Sequence, residues 1–130
     1  MTERGKIKFV DRAQQINDFK GLKIGNITPT DIDGFIEYQD KANIFFEVKY
    51  RSKELPYGQQ LALERLANDS IKSGKKSIVI VVQHDVEDTN LQVDVSTCYV
   101  REFFLYKKWR PPKKQITLLD AIHKFIEKIY

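Results

Sequence analysis

Long apolar runs are missing from this chain of 130 residues: the longest, Ser77-Ile78-Val79-Ile80-Val81-Val82, is far short of the roughly 20 residues that a membrane span needs. A bilayer-crossing helix is therefore not expected. The opening Met1-Thr2-Glu3-Arg4-Gly5-Lys6 leads into mixed polar sequence instead of the apolar stretch of a secretory leader, so the expected location is the cytoplasm. Cysteine is nearly absent. Cys98 stands alone, which excludes an intrachain disulfide, and no cluster of other ligands surrounds it to make a thiolate metal site. With Tyr99 and Val100 beside it and no histidine near in sequence to activate the thiol, Cys98 reads as a packed strand residue. Histidine is scarce too: His84 reads as a structural or exposed loop residue, and His123 as a surface residue of a helix.

What the chain does have is a globular balance, 42% hydrophobic and 31% charged, which argues against extensive disorder. Its length suits a single domain over residues 1–130 with one core. The net charge of +4 and a pI near 9.1 favour a polyanionic partner without proving one. There is no internal repeat and no low-complexity segment.

Periodicity supplies the elements. Phe9, Ala13, Ile16 and Phe19 recur at helical spacing ahead of Gly21, which predicts a helix over about 9–20. After the loop Gly25-Asn26-Ile27-Thr28-Pro29-Thr30, residues 32–38 alternate as a strand does. Gln39-Asp40-Lys41-Ala42-Asn43 is a turn, and residues 44–50 form an apolar, aromatic strand, so the two make a hairpin. A helix is predicted over 57–73, with Gly74 placed for a left-handed cap. Residues 77–82, apolar after the first, read as a strand buried on both faces at the centre of the sheet, reached by a helical crossover. Residues 91–106 hold one or two further strands, Pro111-Pro112 interrupts the chain, and Thr117 caps a final amphipathic helix, with Asp120 in its first turn. The fold class expected is α/β: one domain with a mixed central sheet flanked by helices.

One hairpin segment conflicts with that plan. Asp33 begins one strand, and Ile44-Phe45-Phe46-Glu47-Val48-Lys49-Tyr50 puts two charges inside the next. Strand residues two apart share a face, so Glu47 and Lys49 sit together, while Phe46, Val48 and Tyr50 pack on the other side. Asp33 can reach them across the hairpin. By itself such a face is a solvated cross-strand pair worth about 0.2–1 kcal/mol. Two carboxylates beside a lysine also make a Mg²⁺ site, because Mg²⁺ takes a few carboxylates and retains waters that a substrate phosphate replaces. An ion there would acidify a water and screen the charge growing on a scissile phosphate, with Lys49 orienting the water or stabilising the transition state.

Asp33, thirteen intervening residues and Glu47-Val48-Lys49, followed by a helix and a core strand, resemble the PD-(D/E)XK nucleases over residues 30–82. The departure is that no proline immediately precedes Asp33; Pro29 stands four residues earlier, and Asp31 is the alternative ligand. The resemblance implies a restriction-endonuclease-like fold, a phosphodiester hydrolase acting on DNA, and Mg²⁺ held by Asp33 and Glu47, with Mn²⁺ able to substitute. It also implies a glutamine on the following helix. Gln59 is the better placed of Gln59 and Gln60, because it shares a face with Ala62, Leu63, Leu66 and Ser70. Glu3, Asp11 and Asp18 are candidates for an additional acid from the first helix.

DNA contacts are expected from Arg51 and Lys53, just beyond the motif, and from Lys107, Lys108, Trp109 and Arg110, where positive charge and aromatic rings mix. The small size is similar to that of Holliday-junction resolvases, a subtype whose symmetric cleavage would require a homodimer. Two other readings stand beside this one: a nucleic-acid-binding module without activity, and a subunit of a larger nuclease complex.

Overall fold

The structure, a computed structural model, describes residues 4–129. Its elements run in the order α1 (Val10–Gln14), β1 (Gly34–Tyr38), β2 (Ala42–Tyr50), α2 (Tyr57–Lys72), β3 (Lys76–His84), β4 (Tyr99–Leu105), β5 (Lys108–Arg110) and α3 (Leu118–Glu127), with short 3-10 turns at Lys20–Leu22 and Val95–Thr97. The five strands form one mixed sheet in the order β1-β2-β3-β4-β5, in which only β2 and β3 are parallel. This is the α/β architecture anticipated above. Among the described residues no helix is long and apolar enough to cross a membrane.

β1 and β2 close through a tight turn in which Gln39 and Asp40 both take positive φ, 49° and 59°, and the Lys41 amide donates to the Tyr38 carbonyl at 2.8 Å. Two consecutive left-handed residues match the natural twist of a hairpin. The parallel partner of β2 must be reached by a crossover, and α2 supplies it. Its inner face is set by Leu63, Ala67 and Ser70, buried at the i, i+4, i+7 spacing of a helix. It stops at Gly74, whose φ of +95° allows the amides of Gly74 and Lys75 to reach the carbonyls of Ile71 and Ser70, both at 3.0 Å.

β3 is the middle strand and is buried from Ser77 to Val82. One of its faces joins Phe45, Leu63, Ala67, Val79, Val81 and Phe104 beneath α2. On the other, Ile44, Ile78, Ile80, Val82 and Val100 pack with Leu118, Ile122 and Phe125 of α3, whose first turn is capped by the Thr117 hydroxyl accepting from the Asp120 amide at 3.2 Å. The result is three layers, with helices on both sides of the sheet.

Two expectations change, and the one or two strands expected over 91–106 come to one. The helix expected over 9–20 shrinks to α1, because every described residue up to Asp31 is exposed and Phe9, Ile16 and Phe19 meet no core. Residues 91–106 contribute one strand, β4, with Cys98 buried just ahead of it. On α2, Leu66 is 40% exposed and Ala67 takes its place in the core.

Gly34 shows how tightly the hairpin is built. It pairs with Phe46, whose ring lies across it so closely that a Cβ would fall 1.9 Å from the ring's tip. We expect Gly34→Ala to destabilise the protein by about 1–3 kcal/mol through overpacking. The double variant with Phe46→Leu should recover most of that loss in urea unfolding. Equal losses in the single and double variants would show that the ring is not the cause.

Candidate active site

Alternation along β2 turns Phe45, Glu47 and Lys49 toward α2. Glu47 is only 1% exposed. One of its oxygens, Oε2, accepts the Asp33 amide at 2.7 Å, and the Asp33 carboxylate in turn accepts the Val48 amide at 2.7 Å. Each acid is thus held by the main chain of the other's strand. The hairpin thus brings Asp33 beside Glu47, and Lys49 connects to Glu47 through Gln59.

Gln59, in the first turn of α2, closes the cluster. Its Nε2 donates to Glu47 Oε1 and, at 2.7 Å, to the Asp31 carbonyl; its Oε1 accepts from Lys49 Nζ at 3.3 Å. Those contacts fix which way the amide points. They also tie the lysine, the glutamate and the chain before β1 to one helix. Asp31 therefore enters the site through its backbone, a role that its carboxylate's candidacy had hidden.

Burial pushes the Glu47 carboxyl up to about 7, aided by the nearby charges of Asp33 and Asp31; the Asp33 amide and the Lys49 ammonium pull in the other direction. A carboxylate in that position favours a cation. Among the described residues no three His, Cys, Asp or Glu side chains are grouped to hold a metal. An ion here would be bound by two carboxylates and keep several waters, which fits Mg²⁺ or Mn²⁺ and not a closed zinc site.

The outlying candidates fare differently. Arg51, in a left-handed turn with φ of 53°, pairs with Glu87 and lies over the Tyr50 ring; Lys53 is exposed beside it. Both lie just beyond Lys49 in the chain. Lys107 and Lys108 flank the β4–β5 turn, three strands from β2 and at the end of the sheet opposite Arg51. Arg110 is exposed on the same edge strand. These residues are not assembled with the acids.

Trp109 is a correction. Its ring packs on Phe104 in the core under α2, and its Nε1 donates to Glu64 Oε2 at 2.7 Å, so it is not the exposed platform for a base that the sequence suggested. Trp109→Phe should cost about 1 kcal/mol by removing one of the two donors to Glu64 Oε2, which keeps the Gln60 amide at 2.9 Å. Any nuclease turnover should remain within about twofold of wild type, since the nearest acid of the cluster lies three strands away. A large fall in turnover at unchanged stability would return Trp109 to the substrate.

No first-helix acid joins the cluster: Asp11 and Asp18 lie on the exposed stretch before β1, where Asp18 pairs with Lys20 at 3.8 Å, and Glu3 lies outside the described residues. His84 packs against Tyr50 and accepts the Val86 amide through Nδ1 at 3.1 Å, a structural role; His123 is exposed on α3. Cys98 is buried, and burial raises its thiol, so it is not a primed nucleophile.

Sequence reasoning missed Arg101. Its Nη1 donates to the Lys53 carbonyl at 2.8 Å, bracing the turn that carries Arg51 and Lys53. The pairing of β3 with β4 slips at this point, from Val81 opposite Glu102 to Val82 opposite Val100, so that Arg101 is the extra residue of a bulge. The available signal was the charged pair Arg101-Glu102 inside an otherwise apolar strand.

No protein-family model, curated protein or solved structure matches the chain.

Proposed function

We propose that the protein is a metal-dependent DNA nuclease with a restriction-endonuclease-like core, hydrolysing phosphodiester bonds at Asp33, Glu47 and Lys49. The observation that carries this reading is the buried Glu47, held by the Asp33 amide and Gln59 beside a lysine on the same strand face. A purely structural strand pair has little reason to bury a carboxylate whose ionisation costs so much. A catalytic site does, because charge placed in a dry cleft acts more strongly on the reacting phosphate.

Asp33 and Glu47 would hold Mg²⁺. When bound there, the ion supplies acidification of water and screening of phosphate charge. The protein's own groups do the rest. Gln59 holds the Lys49 ammonium in place through its Oε1, at 3.3 Å, so that it faces the phosphate without searching. As the water oxygen bonds to phosphorus and the bond to the leaving sugar oxygen breaks, Lys49 stabilises the extra negative charge on the phosphoryl oxygens. Arg51 and Lys53 extend the positive surface. The Arg51–Glu87 pair is exposed and weak, so a phosphate can replace Glu87 at little cost.

A second reading draws on the same contacts. Asp33 and Glu47 already accept main-chain amides, which also suits a nucleic-acid-binding module whose acids only brace the hairpin.

Cleavage of labelled linear duplex, single-stranded, flapped and four-way-junction DNA with Mg²⁺, Mn²⁺ or EDTA separates the two. Metal-dependent cutting is expected, with the preferred DNA identifying the subtype and sedimentation testing the homodimer that symmetric junction cutting needs. DNA binding with no cutting of any substrate would sink the nuclease reading in favour of the module or of a partner-dependent subunit.

A further inference from the structure

A groove of about 620 Å³ opens beside Gln59 and Asp31. Its walls are Ile27 and Pro29 on one side and Leu61 and Ala62 of α2 on the other; Gln59 and Asp31 stand at the end nearest Glu47, and Arg65 at the opposite end. We infer that this groove receives the unpaired strand adjoining the scissile phosphate, so that the substrate is DNA with a single-stranded segment next to the cut. The inference rests on the nuclease reading and deepens it by naming the substrate class.

Size is the first argument. The volume is that of a small-molecule pocket, about 300–1,000 Å³, and holds one or two nucleotides but not a duplex, whose major groove alone is about 12 Å wide. Continuity is the second. Gln59 lines the groove and also bonds Glu47 and Lys49, so a strand lying in the groove comes within one side chain of the site. The exposed Ile27 offers the flat faces of bases an apolar surface that a fully hydrated helix backbone would not use.

Charge is the third. Arg65 has no carboxylate partner among the described residues and is exposed. It stands six positions beyond Gln59, about 9 Å along the helix, which is on the order of two nucleotides of a strand. A phosphate at Arg65 and the scissile phosphate at Lys49 would therefore belong to the same short stretch. Asp31, the one acid in the groove, lies at the end where the bound cation would offset it.

The wall opposite α2 has a defined shape. Ile24 and Ile27 exchange both main-chain hydrogen bonds, at 2.8 and 2.9 Å, around Gly25, whose φ of 60° permits the tight turn. This leads straight into the groove-lining residues.

The test uses the full-length protein with Mg²⁺ and three labelled substrates: (dT)20, a duplex with unpaired ends and a blunt duplex. Arg65→Glu, an exposed change on α2, is compared with Lys72→Glu, which makes the same charge reversal at the far end of that helix. For the unpaired substrates, KM should rise about tenfold in Arg65→Glu with kcat within about twofold, while Lys72→Glu behaves as wild type. Ala62→Phe, which fills the groove, should give the same pattern. Arg65→Glu indistinguishable from Lys72→Glu, or equal losses on unpaired and blunt substrates, overturns the inference and leaves the groove to another occupant such as a protein segment. If the wild type cuts no DNA at all, the nuclease reading fails, and the inference falls with it; wild-type cutting with an unaffected Arg65→Glu removes the inference alone.

Discussion

Lys49→Ala is expected to cut DNA about a hundred- to a thousandfold more slowly than wild type, with most of the loss in kcat. The ammonium is held by Gln59 at 3.3 Å, so it is oriented before substrate arrives and acts on charge that appears only as the phosphate reacts. Removing it leaves ground-state binding nearly intact. Lys49→Arg should not restore activity, because a planar guanidinium cannot replace a compact ammonium at that contact. A second signature follows from electrostatics. Lys49 lowers the Glu47 carboxyl, so its loss should move the acid limb of any residual pH–rate profile upward from that of the wild type.

Asp33→Asn gives an equally large fall for another reason. The amide oxygen can still accept from Val48 N–H, so the hairpin keeps its shape while one of two metal-holding charges disappears. Raised Mg²⁺ should rescue Asp33→Asn in part and Lys49→Ala not at all. Thermal unfolding within a few degrees of wild type would exclude misfolding for both variants. Wild-type cutting by either one would remove its residue from the mechanism.

The hairpin, the crossover helix and the buried central strand were legible because each rests on local physics. Period-two alternation put Glu47 and Lys49 on one face, a turn glycine ended α2 at Gly74, and an apolar run marked β3 as a strand covered on both sides. The acid cluster was legible for the same reason: charges inside an apolar strand break the pattern, and a broken pattern is informative. The resemblance implied a glutamine on the next helix, and the α2 face shared with Leu63 favoured Gln59 over Gln60.

What stayed hidden depends on contacts distant in sequence. Phe9, Ala13, Ile16 and Phe19 have helical spacing, but periodicity describes a face and not the surface that would cover it; uncovered, only Val10–Gln14 is α-helical. Trp109 looked like part of a basic loop because β5 is three residues long, with a cation on each side of its single inward ring. Only the register with Phe104 shows that the ring belongs to the core. The charge of Arg101 stands out in its strand, but its partner depends on a bulge, as that of Arg51 does on an acid thirty-six residues away, and no local pattern encodes either contact.

Glu47→Gln should make the metal-free protein's stability insensitive to pH where the wild type's declines. With its carboxyl at about 7 in the folded state against an ordinary value of 4.5, the native protein binds the extra proton between those two pH values, and stability falls as pH rises through that window. Below about 4.5 the contribution is complete; above about 7 it is lost. The span corresponds to about 3 kcal/mol, or roughly 10 °C in Tm for a domain of this size. The substituted amide cannot ionise, so the variant's curve should lack that component, even if the exchange of an acceptor for an amide beside Gln59 shifts the whole curve by a constant. Mg²⁺ binds the ionised carboxylate and should therefore raise the wild-type Tm more at pH 8 than at pH 5, and leave Glu47→Gln almost unmoved at either. Parallel Tm curves for the two proteins across pH 5 to 8 would mean that Glu47 carries no raised ionisation. A declining wild-type curve with no response to Mg²⁺ would mean that the strain in this carboxylate is not there to hold a metal, and the binding-module reading would then be the better account of the cluster.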